Sequence, residues 1–157
     1  MHATQTLLMA LMLALAGLTI AAPNGDAPSV VGPETVRLIE SKVVMPGGAS
    51  PLADYDRFYM LRTFTPKGTG PRDVVEGRFM SKEIGVGYRR TRPAYAKPVP
   101  GIPDAFTIER GGTLPNVADG GCSVVTIFFD VTSARLIEIQ EDYDGAKPEL
   151  AVCNGHA

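Results

Sequence analysis

The chain has 157 residues with 15 Lys+Arg against 17 Asp+Glu, two Cys, two His, no Trp, 17 Gly and 13 Pro. That length gives one domain at most, and so much Gly and Pro beside 7% aromatic residues argues against a helical bundle or coiled coil and for a turn-rich, strand-rich domain. A net charge of -2 excludes a strongly basic nucleic-acid binder.

Residues Leu7 to Ile20 form an uncharged apolar run of 14, followed by the small residues Ala21 and Ala22. This is the anatomy of a secretory signal peptide, although no Lys or Arg precedes the run. It is shorter than the roughly 20 apolar residues of a membrane-spanning helix, so the expectation is cleavage after Ala21 and no stable membrane anchor. A lipid anchor is disfavoured because Leu18 stands where a lipoprotein site needs Cys. The expected organisation is a signal peptide over 1–21, a flexible Pro/Gly-rich leader over 22–32 and a single domain over 33–157. Export would confine all 13 Pro and 16 of the 17 Gly to the mature chain and leave His156 as its only histidine.

Gly32-Pro33 opens a short helix: Pro suits the first helical position, and Val36, Ile39 and Val43 recur at helical spacing. Pro46-Gly47-Gly48 stops it, and Ser50-Pro51 can cap a second short turn reaching about Tyr55. The period then changes toward two. Arg57 to Thr65 reads as a strand buried on both sides at its middle, and Val74 to Met80 as a second, with Gly77 between Val75 and Phe79. Ile84 to Arg92 offers a third, its Gly85 and Gly87 leaving one flat face. Pro93, Pro98, Pro100 and Pro103 make 93–103 an extended connector, and Phe106 to Arg110 a short edge strand.

The strongest hairpin joins Val124–Val131 to Arg135–Glu141 around Thr132-Ser133-Ala134. Its first strand should align Val125, Ile127, Phe129 and Val131 on one face, and its second should align Ile137 and Ile139. Leu150 to Cys153 is a final short strand. The expected fold class is therefore α+β: one or two N-terminal helices packed on a curved antiparallel sheet of five to seven short strands, as in cystatin-like and related folds.

Cys122 and Cys153 are the whole cysteine inventory, and an exported chain makes a disulfide between them the default. A thiol nucleophile needs a neighbouring base, and His156 near the terminus is the one candidate. A zinc site needs about four ligands, more than two Cys and one His provide. No metal site and no cofactor are expected. No phosphate loop, dinucleotide fingerprint, zinc-protease helix or Gly-x-Ser-x-Gly is present. Glu141-Asp142-Tyr143-Asp144-Gly145 lacks the ligand spacing of a calcium loop, and Asp54 with Asp56 is singled out as a carboxylate pair only by proximity.

The near-neutral total hides a division. Residues 22–56 carry net -3, residues 57–97 net +7 and residues 98–157 net -6. The densest basic segment, Arg89, Arg90, Arg92 and Lys97 interleaved with Tyr88 and Tyr95, is the candidate binding site for an acidic protein partner, a phosphate head group or a polyanion. The competing reading is that basic and acidic strands neutralise each other across one sheet.

Asp119-Gly120-Gly121-Cys122-Ser123-Val124-Val125, Phe129-Asp130, Cys153-Asn154-Gly155 and Tyr55-Asp56-Arg57-Phe58-Tyr59 resemble a type of small exported proteobacterial protein. The resemblance covers about half the mature chain. It implies a disulfide-tied α+β domain in the envelope or outside the cell and brings no activity with it. The functional expectation is a non-enzymatic binding protein, an inhibitor or immunity-type partner of another envelope protein. The alternatives are a small-ligand carrier or carboxylate hydrolase with a cavity in the curved sheet, and a structural envelope component.

Overall fold

The computed structural model describes residues 29–65, 70–83, 95–115, 120–137 and 151–154. The expected signal peptide, most of the leader and the strand expected at Ile84–Arg92 lie outside these residues. Among the described residues no helix is long and apolar enough to cross a membrane.

The α-helix among the described residues, α1 (Pro33–Lys42), starts where the Gly-Pro step places it, with Val36 N–H bonding Gly32 O at 3.1 Å. The second short turn is a single 3-10 turn over Leu52–Asp54. Among the described residues seven strands follow: β1 (Tyr55–Phe64), β2 (Arg72–Ser81), β3 (Lys97–Pro98), β4 (Ala105–Ile108), β5 (Gly121–Asp130), β6 (Arg135–Ile137) and β7 (Ala151–Asn154). They form one sheet in the order β3-β4-β1-β2-β5-β6, with β7 paired to β5.

The sheet is mixed and not wholly antiparallel. β4 lies parallel to β1 in the register Arg57↔Ala105 to Met60↔Ile108. The strand expected at an edge is therefore internal, with β3 outside it. The physical reason lies in β2: it runs back antiparallel to β1 and ends at Ser81 opposite Tyr55, so a strand that starts from that end on the other side of β1, at Ala105 opposite Arg57, runs parallel to it. β3, two residues of the proline-rich connector, takes the edge position that proline tolerates.

Alternation sorts the side chains onto two faces. Tyr59, Leu61, Val75, Phe79, Val125, Ile127 and Phe129 pack with Val36 and Ile39 of α1 in the larger core, where Tyr59 and Phe79 meet edge to face at 5.8 Å. Phe58, Met60, Met80, Phe106 and Ile108 form a smaller core on the other face, joined by Ala96 and Leu114. The middle of β1 is thus buried on both sides, as its sequence indicates.

Three local details differ from expectation. Leu136 and not Ile137 reaches the helix-side core, because it pairs with Phe129 while Ile137 pairs with Phe128. Val131 is exposed, because β5 ends at Asp130. The end of the expected leader is docked: Val31 is buried, its N–H bonds Thr107 Oγ1 at 3.1 Å, and Arg110 N–H bonds Ser29 O at 2.7 Å.

The expected disulfide is present between Cys122 and Cys153, with a Cα–Cα distance of 4.4 Å. It ties β7 to the start of β5, where the register shifts between Gly121 and Val125.

Gly77 shows how tightly the larger core is closed. A Cβ there would lie 2.6 Å from Ile127 Cγ1 and 3.2 Å from Phe79 Cε1. Because Ile127 is fully buried, it cannot swing into solvent. Gly77→Ala should cost about 1 to 3 kcal/mol by overpacking, read from the urea midpoint; an unchanged midpoint would show that the core can yield.

Candidate functional site

Of the residues chosen from sequence, Tyr95 and Lys97 fall within the described residues; Tyr88, Arg89, Arg90 and Arg92 lie outside them. Tyr95 is exposed and its hydroxyl donates to Thr113 O at 3.1 Å. Lys97 Nζ reaches Glu109 Oε1 at 2.7 Å across the β3–β4 pair, and this bond holds the Glu109 carboxyl below its usual range. Both side chains are engaged along the 109–113 segment.

The same pattern holds for the other described basic residues of the +7 block. Arg57 pairs with Glu40 at 2.7 Å, Arg62 and Arg78 with Glu76 at 2.7 and 2.9 Å, Arg72 with Asp130 at 3.0 Å, and Lys82 with Asp104 at 3.0 Å. Within the described residues Arg57, Arg72, Lys82 and Lys97 join the basic block to the acidic blocks, while Arg62 and Arg78 are neutralised inside it by Glu76. Neutralisation, the competing reading, accounts for this part of the basic block.

Two of these clusters are centred on a buried charge, Arg57 and Glu76. Arg57 is 5% exposed. Its Nε donates to Glu40 Oε1, its Nη1 to the carbonyls of Leu52 and Tyr55, and its Nη2 to the carbonyl of Pro103. Tyr59 OH donates to the same Glu40 oxygen at 2.9 Å, and burial, reinforced by the Glu40 charge, pushes the phenol well above its ordinary range. This cluster fastens α1 to β1 under the larger core. On the other face Glu76 is held between Arg62 and Arg78.

Asp130 ends β5. Its Oδ1 accepts from Thr132 N–H at 2.8 Å and Ser133 N–H at 3.0 Å, and its Oδ2 from Arg72. The Ser133 N–H, with Arg72 and the Thr132 N–H, holds the carboxyl below its ordinary range. A depressed carboxyl contributes stability above the unfolded value of about 3.9 and loses it as pH falls through the folded value. Asp130→Asn should cost about 1 kcal/mol at neutral pH and flatten the loss of stability below about pH 4. Urea titrations at neutral and acid pH test this; equal losses at both would contradict it.

The feature that periodicity did not indicate is an open strand edge. β1 pairs with β2 along its whole length to Phe64↔Arg72, but with β4 only as far as Met60↔Ile108. Among the described residues no strand continues the pairing beside 61–64. A groove of about 420 Å³ runs there, lined by Met60, Leu61, Arg62, Thr63, Arg110, Gly111 and Gly112.

Its far wall is fixed. Arg110 donates from Nη1 to Thr63 Oγ1 and Asp73 Oδ1 and from Nη2 to Asp73 Oδ2, all at 2.9 Å. This fork holds the Asp73 carboxyl down and the Arg110 guanidinium up from their ordinary values. Phe64, the last residue of β1, is 47% exposed, its ring turned across β2 to stack on Phe128 of β5 at 6.4 Å. The chemistry offered is main-chain pairing, which suits an extended segment. Among the described residues no group of three or more His, Cys, Asp or Glu is placed to hold a metal ion.

Comparison with protein-family models, with curated proteins and with solved structures finds no match.

Proposed function

We propose that the chain is an exported, non-enzymatic binding protein of the periplasm or extracellular space. In this reading it engages another envelope protein, as an inhibitor or immunity-type partner, along the open edge of β1. The observation that carries the reading is the groove beside Leu61–Thr63, where, among the described residues, no strand pairs with the edge of β1. An unpaired edge templates strand addition. The disulfide and the apolar run at residues 7–20 support export.

A photo-crosslinking residue at Thr65, exposed at the end of this edge, tests the reading in a bacterium that exports the chain. The expected result is an adduct with one distinct envelope protein from position 65 and none from Leu38 on the outer side of α1. No heterologous adduct from position 65 at low or high salt would overturn it.

A further inference from the structure

We propose that residues 23–28 of this chain occupy the groove beside β1 in the free protein, pairing antiparallel with its edge, and that a partner gains the edge by displacing them. The displacement rests on the reading of that edge as a docking surface; the occupancy stands on geometry.

The path of the chain is the first step. Arg110 N–H bonds Ser29 O at 2.7 Å, and Val31 N–H bonds Thr107 Oγ1 at 3.1 Å. From 29 to 31 the chain thus steps back from Arg110 to Thr107, antiparallel to β4 and to the β1 strand beside it. Followed the other way, it leads past Arg110 in the direction in which β1 runs on toward Phe64. Arg110 is itself a wall of the groove, with its Nη1 2.9 Å from Thr63 Oγ1. β4 does not fill the space, because a tight turn ends it: Gly112 N–H bonds Glu109 O at 2.9 Å, and Gly111 has φ 83°. Six extended residues reach about 20 Å, more than the roughly 13 Å between positions 61 and 65 of a strand.

The backbone groups supply the second step. Arg57 N–H donates to Asp104 O on the β4 side at 2.8 Å. Such groups alternate sides along a strand, so the N–H and C=O of Thr63 face the groove. Ser29 turns its C=O to Arg110. An extended continuation therefore turns the groups of Ala27 and Gly25 the same way and those of Pro28 and Asp26 outward. Proline is tolerated in an edge strand where its missing N–H would face solvent, and Pro28 takes that place. Ala27 can exchange two N–H···O bonds with Thr63, and Gly25 O can accept from Thr65 N–H. Pro23 falls on the groove side with no N–H to give, and it ends the pairing.

Hydrogen exchange of the purified, oxidised chain tests this. The Thr63 amide, which β4 does not reach, is expected to exchange at least about tenfold more slowly than in the unfolded chain. Ala27→Pro removes the groove-facing N–H and should speed Thr63 exchange about fivefold. Asp26→Pro removes an outward N–H and should leave it nearly unchanged. Neither substitution should alter the rates at Val75 and Phe79 in the sheet interior. An unprotected Thr63 amide overturns the inference, as does equal loss from both substitutions, no loss from either, or a loss shared by Val75 and Phe79. The crosslink from position 65 separates the two readings. Ala27→Pro should raise the heterologous adduct severalfold, and a level yield overturns the displacement. An adduct with Thr63 unprotected sinks this inference and keeps the docking reading. Thr63 protection lost in Ala27→Pro alone, with no adduct from either chain, keeps residues 23–28 in the groove and sinks the docking reading.

Discussion

Arg57→Met is expected to cost about 3 kcal/mol, the low end for breaking a buried ion pair. The low end applies because Glu40, with a side chain 20% exposed, can turn partly toward water once its partner is gone. Methionine fills much of the space, so the loss is chiefly polar. Glu40 keeps a poorly compensated charge, and the carbonyls of Leu52, Tyr55 and Pro103 each lose a donor. Leu52 O keeps the Tyr55 N–H and Pro103 is exposed to water, so the desolvation penalty of a lost partner falls chiefly on the buried Tyr55 carbonyl and the stranded Glu40 charge.

The companion variant decides between a polar and a packing cause. Adding Glu40→Gln removes the stranded charge but keeps an acceptor for Tyr59 OH, so the double variant should lose clearly less than the sum of the single losses. Urea unfolding of the four proteins measures the coupling. Additive losses, or a cost below 1 kcal/mol for Arg57→Met, would show that this cluster does not anchor α1. The same arginine also holds the 103–104 turn, through Pro103 O and through its own N–H to Asp104 O, and so sets where β4 begins beside β1. Because β4 is short, that start also fixes where the pairing stops and the edge opens. A small stability variant inside the core should thus disturb the proposed docking edge as well.

How far the sequence reached depends on whether a feature is local. The start of α1 could be read because Gly32-Pro33 and the spacing of Val36 and Ile39 act within one turn. The β5–β6 hairpin could be read because alternation and a turn signal lie side by side. Gly77 stands between Val75 and Phe79 in sequence, but only the facing Ile127 explains why it has no side chain. The parallel placement of β4 was out of reach: residues 105–108 alternate as any strand does, and nothing in them names β1 as neighbour. The same limit hid the groove, since an edge is defined by where a distant strand stops. Charge blocks misled for a related reason. Arg62, Arg78 and Glu76 sit within one basic block, yet they neutralise each other across β1 and β2, an arrangement set by register and not by composition.

Removing the disulfide should have an effect of similar size by a different route. Cys122 and Cys153 are 31 residues apart, and closing such a loop restricts the unfolded chain by about 3 to 4 kcal/mol on the chain-entropy estimate. The Cys122→Ser, Cys153→Ser double variant should therefore melt on the order of 10 °C lower. It should also lose structure unevenly. β7 is held by four residue pairs to β5 and by Thr126 Oγ1 donating to Asn154 Oδ1 at 2.8 Å, and the register shift leaves Cys122 itself outside those pairs. Once the bridge is gone, amides of Val152 and Cys153 should exchange sooner than those of Val75 and Phe79, which lie in the sheet interior. Tyr55 OH, which donates to Cys122 O at 2.6 Å and accepts from Ser50 N–H, still ties the start of β5 to β1, so the loss should be confined at first to the last strand. Hydrogen exchange on the oxidised and double-variant proteins distinguishes the cases. Uniform loss of protection across the sheet would mean that the bridge supports the whole fold, and unchanged protection in β7 would mean that strand pairing alone holds it.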